Sequence, residues 1–217
     1  MIEVKDLSIR QGKFLLEGIS FTVPEGDHGV LMGRSGCGKT SILEAICGLR
    51  ATEAGSVLLA GHDVATMAPG DRGIGFVPQD RSLFPNLPVR ENLAFSLLLR
   101  NWSNEAIASR VGQLAELMSI SHLLDRPIDN LSGGEAQRVS VGRALAASPR
   151  VLCLDEPFSS LDEETHEEMS DLLKRVRSET GVTILHVTHS RREAQMIGDL
   201  IYRLVDGLIR LDGGTPK

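Results

Sequence analysis

Aromatic residues make up only 4% of the 217-residue chain, with one tryptophan, one tyrosine and six phenylalanines. Aliphatic side chains must therefore fill the core, and at 41% hydrophobic content there are enough of them for one sizeable domain. Excess positive charge is also missing. The formal net charge is −6, which argues against a broad nucleic-acid surface. No apolar run approaches the roughly 18 residues of a membrane span. The N-terminal MIEVKDLSIR carries charges where a signal peptide needs its apolar stretch, so a cytosolic protein is expected. There are three cysteines, Cys37, Cys47 and Cys153, in unrelated contexts. They read as free thiols, not as a disulfide or zinc framework. Repeats, low-complexity segments and long linkers are absent as well.

What is present alternates between strand and helix signals. Strand-like runs are IEVKDLSIR, LLEGISFTV, HGVLMG, GSVLLAG, GIGFVP, VLCLD and VTILHVTH. Thr40 to Leu49 sets Ile42, Leu43, Ile46 and Leu49 on one helical face. Arg90 to Ser148 reads as helical, a charged helix is expected from Glu163 to Glu179, and the tail as a hairpin around Asp206-Gly207. These signals predict a single α/β domain with a mostly parallel sheet flanked by helices, an N-terminal antiparallel β part and an inserted helical subdomain. The catalytic core is expected over 1–80 and 149–217, and the helical subdomain over about 81–148.

Four apolar runs end in a distinctive polar group. They lead into the glycine loop, Gln79, the Asp155-Glu156 pair and His189. Ligands of open parallel sheets bind beyond the carboxyl ends of the strands, so these groups are expected at one edge. The segment GRSGCGKT, Gly33 to Thr40, fits the phosphate-binding spacing between a strand and a helix. Its residues Gly33, Arg34, Ser35, Gly36, Cys37, Gly38, Lys39 and Thr40, with the following Ser41, are the expected nucleotide-binding set. Lys39 would sit on the β- and γ-phosphates and the Thr40 hydroxyl on Mg²⁺. The bland alternative, a glycine-rich turn with a surface lysine, does not need the full spacing. The motif alone does not separate a kinase, a GTPase and an ATPase.

Asp155 ends a buried strand, where a lone carboxylate is costly and a cation beside it would keep it ionised. Glu156 reads as a group that would activate or orient water in the same site, the alternative being two acids that merely cap the strand before Pro157. Gln79 reads equally as a turn residue or as a ligand of the ion, and His189 as a γ-phosphate contact. His186, in mid-strand, reads as a satisfied core histidine.

A second helix start follows at LSGGEAQRV. Ser132 and Glu135 form a capping box, which by itself needs no function. Yet Gly133 and Gly134 cost about 1 kcal/mol each inside a helix. They make sense where the backbone must approach something closely, such as the phosphates of a nucleotide held by another copy. That predicts a two-fold dimer with two shared sites.

Taken together, the motifs resemble the nucleotide-binding domain of an ABC transporter over essentially the whole chain. GRSGCGKT is similar to Walker A, Gln79 to the Q-loop, LSGGE to the signature motif, VLCLDEP to Walker B, Ser159 to Asp162 to the D-loop, and His189 to the switch histidine. The resemblance implies a P-loop NTPase fold and an ATPase working with ATP and Mg²⁺. It implies Glu156 as catalytic base, with His189, Lys39 and Gln79 in support, and Thr40, Gln79 and Asp155 around the metal. It also implies a homodimer in the ATP state. Ser132, Gly133, Gly134 and Glu135 would then close on ATP from the opposite protomer, with Asp162 at the interface. Three departures stand out: Glu135 where glutamine is usual, Cys37 where serine is usual, and Gln11 where an aromatic residue often stacks on adenine. Phe14 is the nearby aromatic that can take that role.

No membrane segment is visible, so the resemblance implies separate transmembrane permease subunits, with a solute-binding protein as a further partner. The expected location is cytoplasmic, peripheral on the cytoplasmic face of the inner or plasma membrane. The stretch RGIGFVPQDRSLFPNLPVRENLAF is similar to importer ATPases for small solutes, and Leu83, Phe84, Pro85, Leu87 and Val89 would form the docking surface. The chain stops at Lys217, so a following regulatory domain is not expected. Alternatives from the same fold are an exporter ATPase subunit and a soluble ATPase of iron–sulfur cluster assembly. An alternative from another class is a nucleotide-sensing module without turnover.

Overall fold

A computed structural model describes residues 1–12, 14–159 and 161–214; nothing is described for the side chain of Glu164. The D-loop residue Ser160 therefore lies outside the described residues. Strands β1 (Ile2–Gln11), β2 (Phe14–Val23), β4 (Ala54–Leu59) and β5 (His62–Asp63) form an antiparallel sheet in the order β2-β1-β4-β5. The larger sheet has the order β10-β9-β3-β8-β7-β6. It is built from β3 (His28–Gly33), β6 (Ile74–Val77), β7 (Val151–Asp155), β8 (Thr183–Thr188), β9 (Leu200–Val205) and β10 (Leu208–Gly213). Its pairings are parallel except for β10, which joins β9 as an antiparallel hairpin around Asp206-Gly207. The helices are α1 (Lys39–Cys47), α2 (Val89–Leu99), α3 (Asn104–Leu117), α4 (Gly133–Leu145), α5 (Glu163–Thr180) and α6 (Arg191–Ile197).

The buried strands explain their apolar runs. Along β7, Val151 and Cys153 enter one core while Leu152 and Leu154 enter the other. Successive side chains point to opposite faces, so a strand covered on both faces has no polar positions. The first core joins the antiparallel sheet to α1, with Ile2, Val4, Ile19, Leu31, Ile42 and Val187 all buried. The second packs α2, α3, α4 and α5 against the other face.

Local chemistry sets the helix ends. Gly48, at φ 79°, closes α1 by donating to the carbonyls of Ala45 and Glu44, a left-handed stop that favours glycine. Asp162 caps α5 by accepting from Thr165 N–H at 2.9 Å.

Several expectations need correction. The first helix ends before Leu49, which is 55% exposed and not on a core face. The stretch 90–148 is not continuously helical; Ser119 adopts φ 58°, and 3₁₀ turns at Ser121–Leu123 and Ile128–Asn130 separate α3 from α4. His186 is fully buried, yet neither ring nitrogen has a hydrogen-bond partner among the described residues. It lies flat against Phe158, 5.4 Å between centroids, with Glu193 3.7 Å from its Nε2. Val89 belongs to the second core, not to a docking surface. Phe84 packs on Phe95 and beneath the Arg143 guanidinium, which leaves Pro85 as the exposed member of that set.

Candidate functional site

The sheet order makes β3, β8, β7 and β6 consecutive and parallel, so their carboxyl ends lie side by side. From those ends come the loop 34–38, His189, the Asp155-Glu156 pair and Gln79. The sequence-derived convergence on one edge is thus realised by four neighbouring strands.

The loop runs from β3 into α1. Gly36 adopts φ 78° and Gly38, the cap of α1, φ 104°. Gly38 has a second constraint: a Cβ there would stand 2.8 Å from Phe14 Cζ and 2.7 Å from Leu16 Cδ1. The β1–β2 hairpin thus presses its end onto the loop, with Phe14 half-buried and Gln11, its partner in register, exposed. Arg34, Ser35 and Gly36 are exposed, while Cys37 is half-buried with a free thiol. Ser41 is buried one residue into α1 beyond Thr40.

Lys39 is 5% exposed. Its ammonium donates to the carbonyls of Gly33 at 2.9 Å and Arg34 at 3.1 Å, and lies 3.7 Å from Glu156 Oε1. The charge is held at the mouth of the loop by two carbonyls, with Glu156 as its longer-range carboxylate partner. Phosphate oxygens would be stronger partners than the two carbonyls.

The Thr40 hydroxyl donates to Asp155 Oδ1 at 3.1 Å. Burial pushes the Asp155 carboxyl above its ordinary range, with the Thr40 bond working against that rise. A hydroxyl and a carboxylate are hard oxygen donors of the kind Mg²⁺ takes when phosphate and water complete its shell. Among the described residues, no cluster of three or more histidine, cysteine or acidic side chains offers an all-protein metal cage.

Glu156 sits in the left-handed region at φ 47°, an uncommon backbone state for a residue with a side chain, and one that clusters at functional sites. Its N–H donates to Val187 O at 2.9 Å, which pins the bend to β8. Its carboxylate then spans the site: Oε1 faces Lys39 and Oε2 is 2.8 Å from Nδ1 of His189. Glu156, Lys39 and His189 are thereby brought together. Gln79 follows β6 in a turn, exposed and without a hydrogen bond among the described residues.

The Ser132–Glu135 tip stands apart. Ser132 Oγ accepts from Glu135 N–H at 3.2 Å, and Glu135 Oε2 accepts from Ser132 N–H at 2.7 Å. That backbone bond is the main cause holding the Glu135 carboxyl below its ordinary range. Ser132 and Gly133 are exposed. Gly134 has a reason inside the chain, because a Cβ there would meet Thr165 Cγ2 of α5 at 2.8 Å. No hydrogen bond among the described residues links this tip to the loop 34–38.

Thr165, Thr188 and Glu193 did not stand out in the sequence. Thr165 and Gly134 are 31 positions apart, and nothing local links them. The one local signal available for Glu193 was its spacing from Ser190, a capping-box pattern of the kind that marks a helix start.

Known proteins place this geometry. Residues 16–159 match the family described as ABC transporter. The molybdate/tungstate import ATP-binding protein WtpC of Thermococcus kodakarensis is 42% identical over 207 residues, 95% of this chain and 63% of the relative. The sulfate/thiosulfate import ATP-binding protein CysA of Synechococcus elongatus is 39% identical over 217 residues, covering all of this chain and 63% of the relative. The chain thus spans about three-fifths of the length of these relatives. Among solved structures, the ATP-binding cassette MJ0796, described as dimeric, in a post-hydrolysis state and bound to ADP and Pi, superposes with a TM-score of 0.86 at 28% identity over the full length of both chains. With its sequence matched to that family and its fold to that cassette, the chain belongs to the ABC transporter family.

Proposed function

We propose that this chain binds and hydrolyses ATP as the motor of a transporter, two copies closing around two nucleotides. The observation that carries the reading is the Lys39–Glu156–His189 arrangement at three adjacent strand ends. The loop Gly33–Ser41 cradles the phosphates with its N–H groups, and the Lys39 ammonium takes the β- and γ-oxygens. Thr40, Asp155 and Gln79 would hold Mg²⁺, which would supply charge neutralisation at those phosphates. Glu156 accepts the proton of the attacking water, and His189 holds that carboxylate while facing the γ-phosphate. Ser132, Gly133, Gly134 and Glu135 of the second copy complete the site, with Asp162 at the interface. Phe14, leaning on Gly38, is the aromatic nearest the adenine.

No helix among the described residues is long and apolar enough to cross a membrane. In this reading the motor works on separate permease subunits at the cytoplasmic face of the membrane, with a solute-binding protein upstream, as the names of the import ATP-binding relatives suggest. Relatives named as import ATP-binding proteins support import of a small solute. Molybdate and tungstate are the first solutes to test, since they appear in the name of the 42%-identical relative. Residues 1–217 are read as one ATPase domain, with about 81–148 carrying the tip.

The test is Mg²⁺-dependent ATP hydrolysis by the full chain, combined with identification of what co-purifies with it. Hydrolysis lost on chelation, and a multi-span membrane protein in the complex, are expected. A stable membrane-free complex would overturn the transport assignment, and absent hydrolysis in the intact complex would overturn the motor.

A further inference from the structure

The His189 side chain is 56% exposed. Packing does not fix an imidazole so open to solvent, yet its Nδ1 meets Glu156 Oε2 at 2.8 Å. Its placement must come from the backbone that carries it. The residues on either side of it are tied down. Thr188 ends β8 and is fully buried. Its hydroxyl donates to Glu193 Oε2 at 2.6 Å and accepts from the N–H of Ser190 at 3.0 Å. Ser190 Oγ, in turn, accepts from the N–H of Glu193 at 3.3 Å and caps α6.

This is a capping box with an insertion. In the ordinary form the third-position glutamate reaches back to the cap N–H itself. Here it reaches Thr188, and the Thr188 hydroxyl reaches the cap N–H. One buried hydroxyl thus joins the end of β8 to the start of α6 across His189. Glu193 is 5% exposed, and the fully buried Nε2 of His186 stands 3.7 Å from the same Oε2, beyond hydrogen-bond reach.

We propose that Thr188, held by Glu193, is a positioning residue for His189: it sets the turn that aims the imidazole at Glu156 and the γ-phosphate. This rests on the assignment of His189 given above. A hydroxyl that both donates and accepts is needed, so serine can replace threonine and valine cannot, although valine has nearly the same shape.

The experiment uses the full chain with MgATP and measures kcat, KM, the Kd for a fluorescent ATP analogue and Tm. Thr188→Val is expected to lower kcat roughly tenfold, the scale seen when a supporting hydrogen bond to a working residue is lost. Nucleotide Kd should stay within about twofold, because the loop 34–38 is untouched. Thr188→Ser should restore the rate. Ser190→Ala removes the cap but keeps the N–H, so it should lower Tm and leave kcat unchanged. Should Thr188→Val fold poorly, Glu193→Gln serves in its place: the amide oxygen is a weaker acceptor, and a smaller fall in kcat is expected. The decisive comparison is in a His189→Ala background, where neither substitution should slow the enzyme further. His189→Ala slow but Thr188→Val at the wild-type rate would overturn the inference alone. Additive losses in the double variant would do the same. His189→Ala at the wild-type rate would remove the assignment of His189 and this inference with it.

Discussion

Nδ1 of His189 lies 2.8 Å from Oε2 of Glu156, across the ends of two neighbouring parallel strands. The contact directs one ring nitrogen to the carboxylate, and Nε2 has no hydrogen-bond partner among the described residues. On the far side of the same carboxylate, Lys39 stands at 3.7 Å. These two neighbours bracket the Glu156 carboxylate, one at each oxygen.

Lys39→Ala tests the phosphate cradle. The ammonium is buried and spends its hydrogen bonds on two carbonyls. Losing charge-assisted bonds to phosphate, worth about 1.5–3 kcal/mol, should weaken ATP binding by roughly 10- to 100-fold. Titration with a fluorescent analogue reads this directly, and unchanged affinity would contradict the cradle.

Glu156→Gln should keep ATP affinity and lose hydrolysis by about 10²- to 10⁴-fold, the usual contribution of a positioned base. Single-turnover hydrolysis separates the chemistry from release. A variant that turns over at the normal rate would assign the base elsewhere.

His28 predicts how stability depends on pH. It is fully buried against His186, and burial, with His186 and Arg177 adding to the effect, holds its pKa well below 6.5. Asp199 also faces this end of β3, accepting from the His28 N–H. The unfolded chain binds the proton more readily, so stability is full above about pH 6.5 and falls as pH drops below it. One proton corresponds to at most about 1.4 kcal/mol per pH unit, or roughly 2–4 °C in Tm for each kcal/mol. Thermal unfolding from pH 7 to 5 should show this slope, and His28→Leu should make it shallower. An equal slope in both proteins would show that His28 is not the group concerned.

Gly134 and Thr165 should be coupled. An alanine Cβ would meet Thr165 Cγ2 at 2.8 Å, while helix propensity favours alanine by about 1 kcal/mol. In a Thr165→Ser background the clash is gone and the propensity gain remains. Gly134→Ala should therefore be about 1 kcal/mol or more better tolerated there than in the parent, measured by urea unfolding without nucleotide. Equal effects in both backgrounds would mean that the α4–α5 contact does not select the glycine.

Much of this was legible before any coordinates. The run VLCLD announced a strand covered on both faces, and its terminal acids followed from the rule that ligands sit at carboxyl ends. Ser132 and Glu135 announced their own helix start. Other features had no local signal. Two residues, His62 and Asp63, are too few to show a period, and β5 exists because Leu58 and Leu59 pair with them. Leu49 continues the apolar rhythm of α1, but the left-handed Gly48 ends the helix first. His186 looked satisfied in mid-strand, yet its surroundings are Phe158, His28 and a carboxylate too distant for a hydrogen bond. Contacts such as Gly134–Thr165 come from packing between helices distant in sequence, which periodicity does not encode.

The most direct test is the structure of the full-length Glu156→Gln chain trapped with ATP and Mg²⁺. Two copies are expected, each nucleotide lying on Lys39 of one and within hydrogen-bond reach of Ser132 of the other. Nucleotide seated on Lys39 while Ser132–Glu135 of every copy faces solvent would contradict the account.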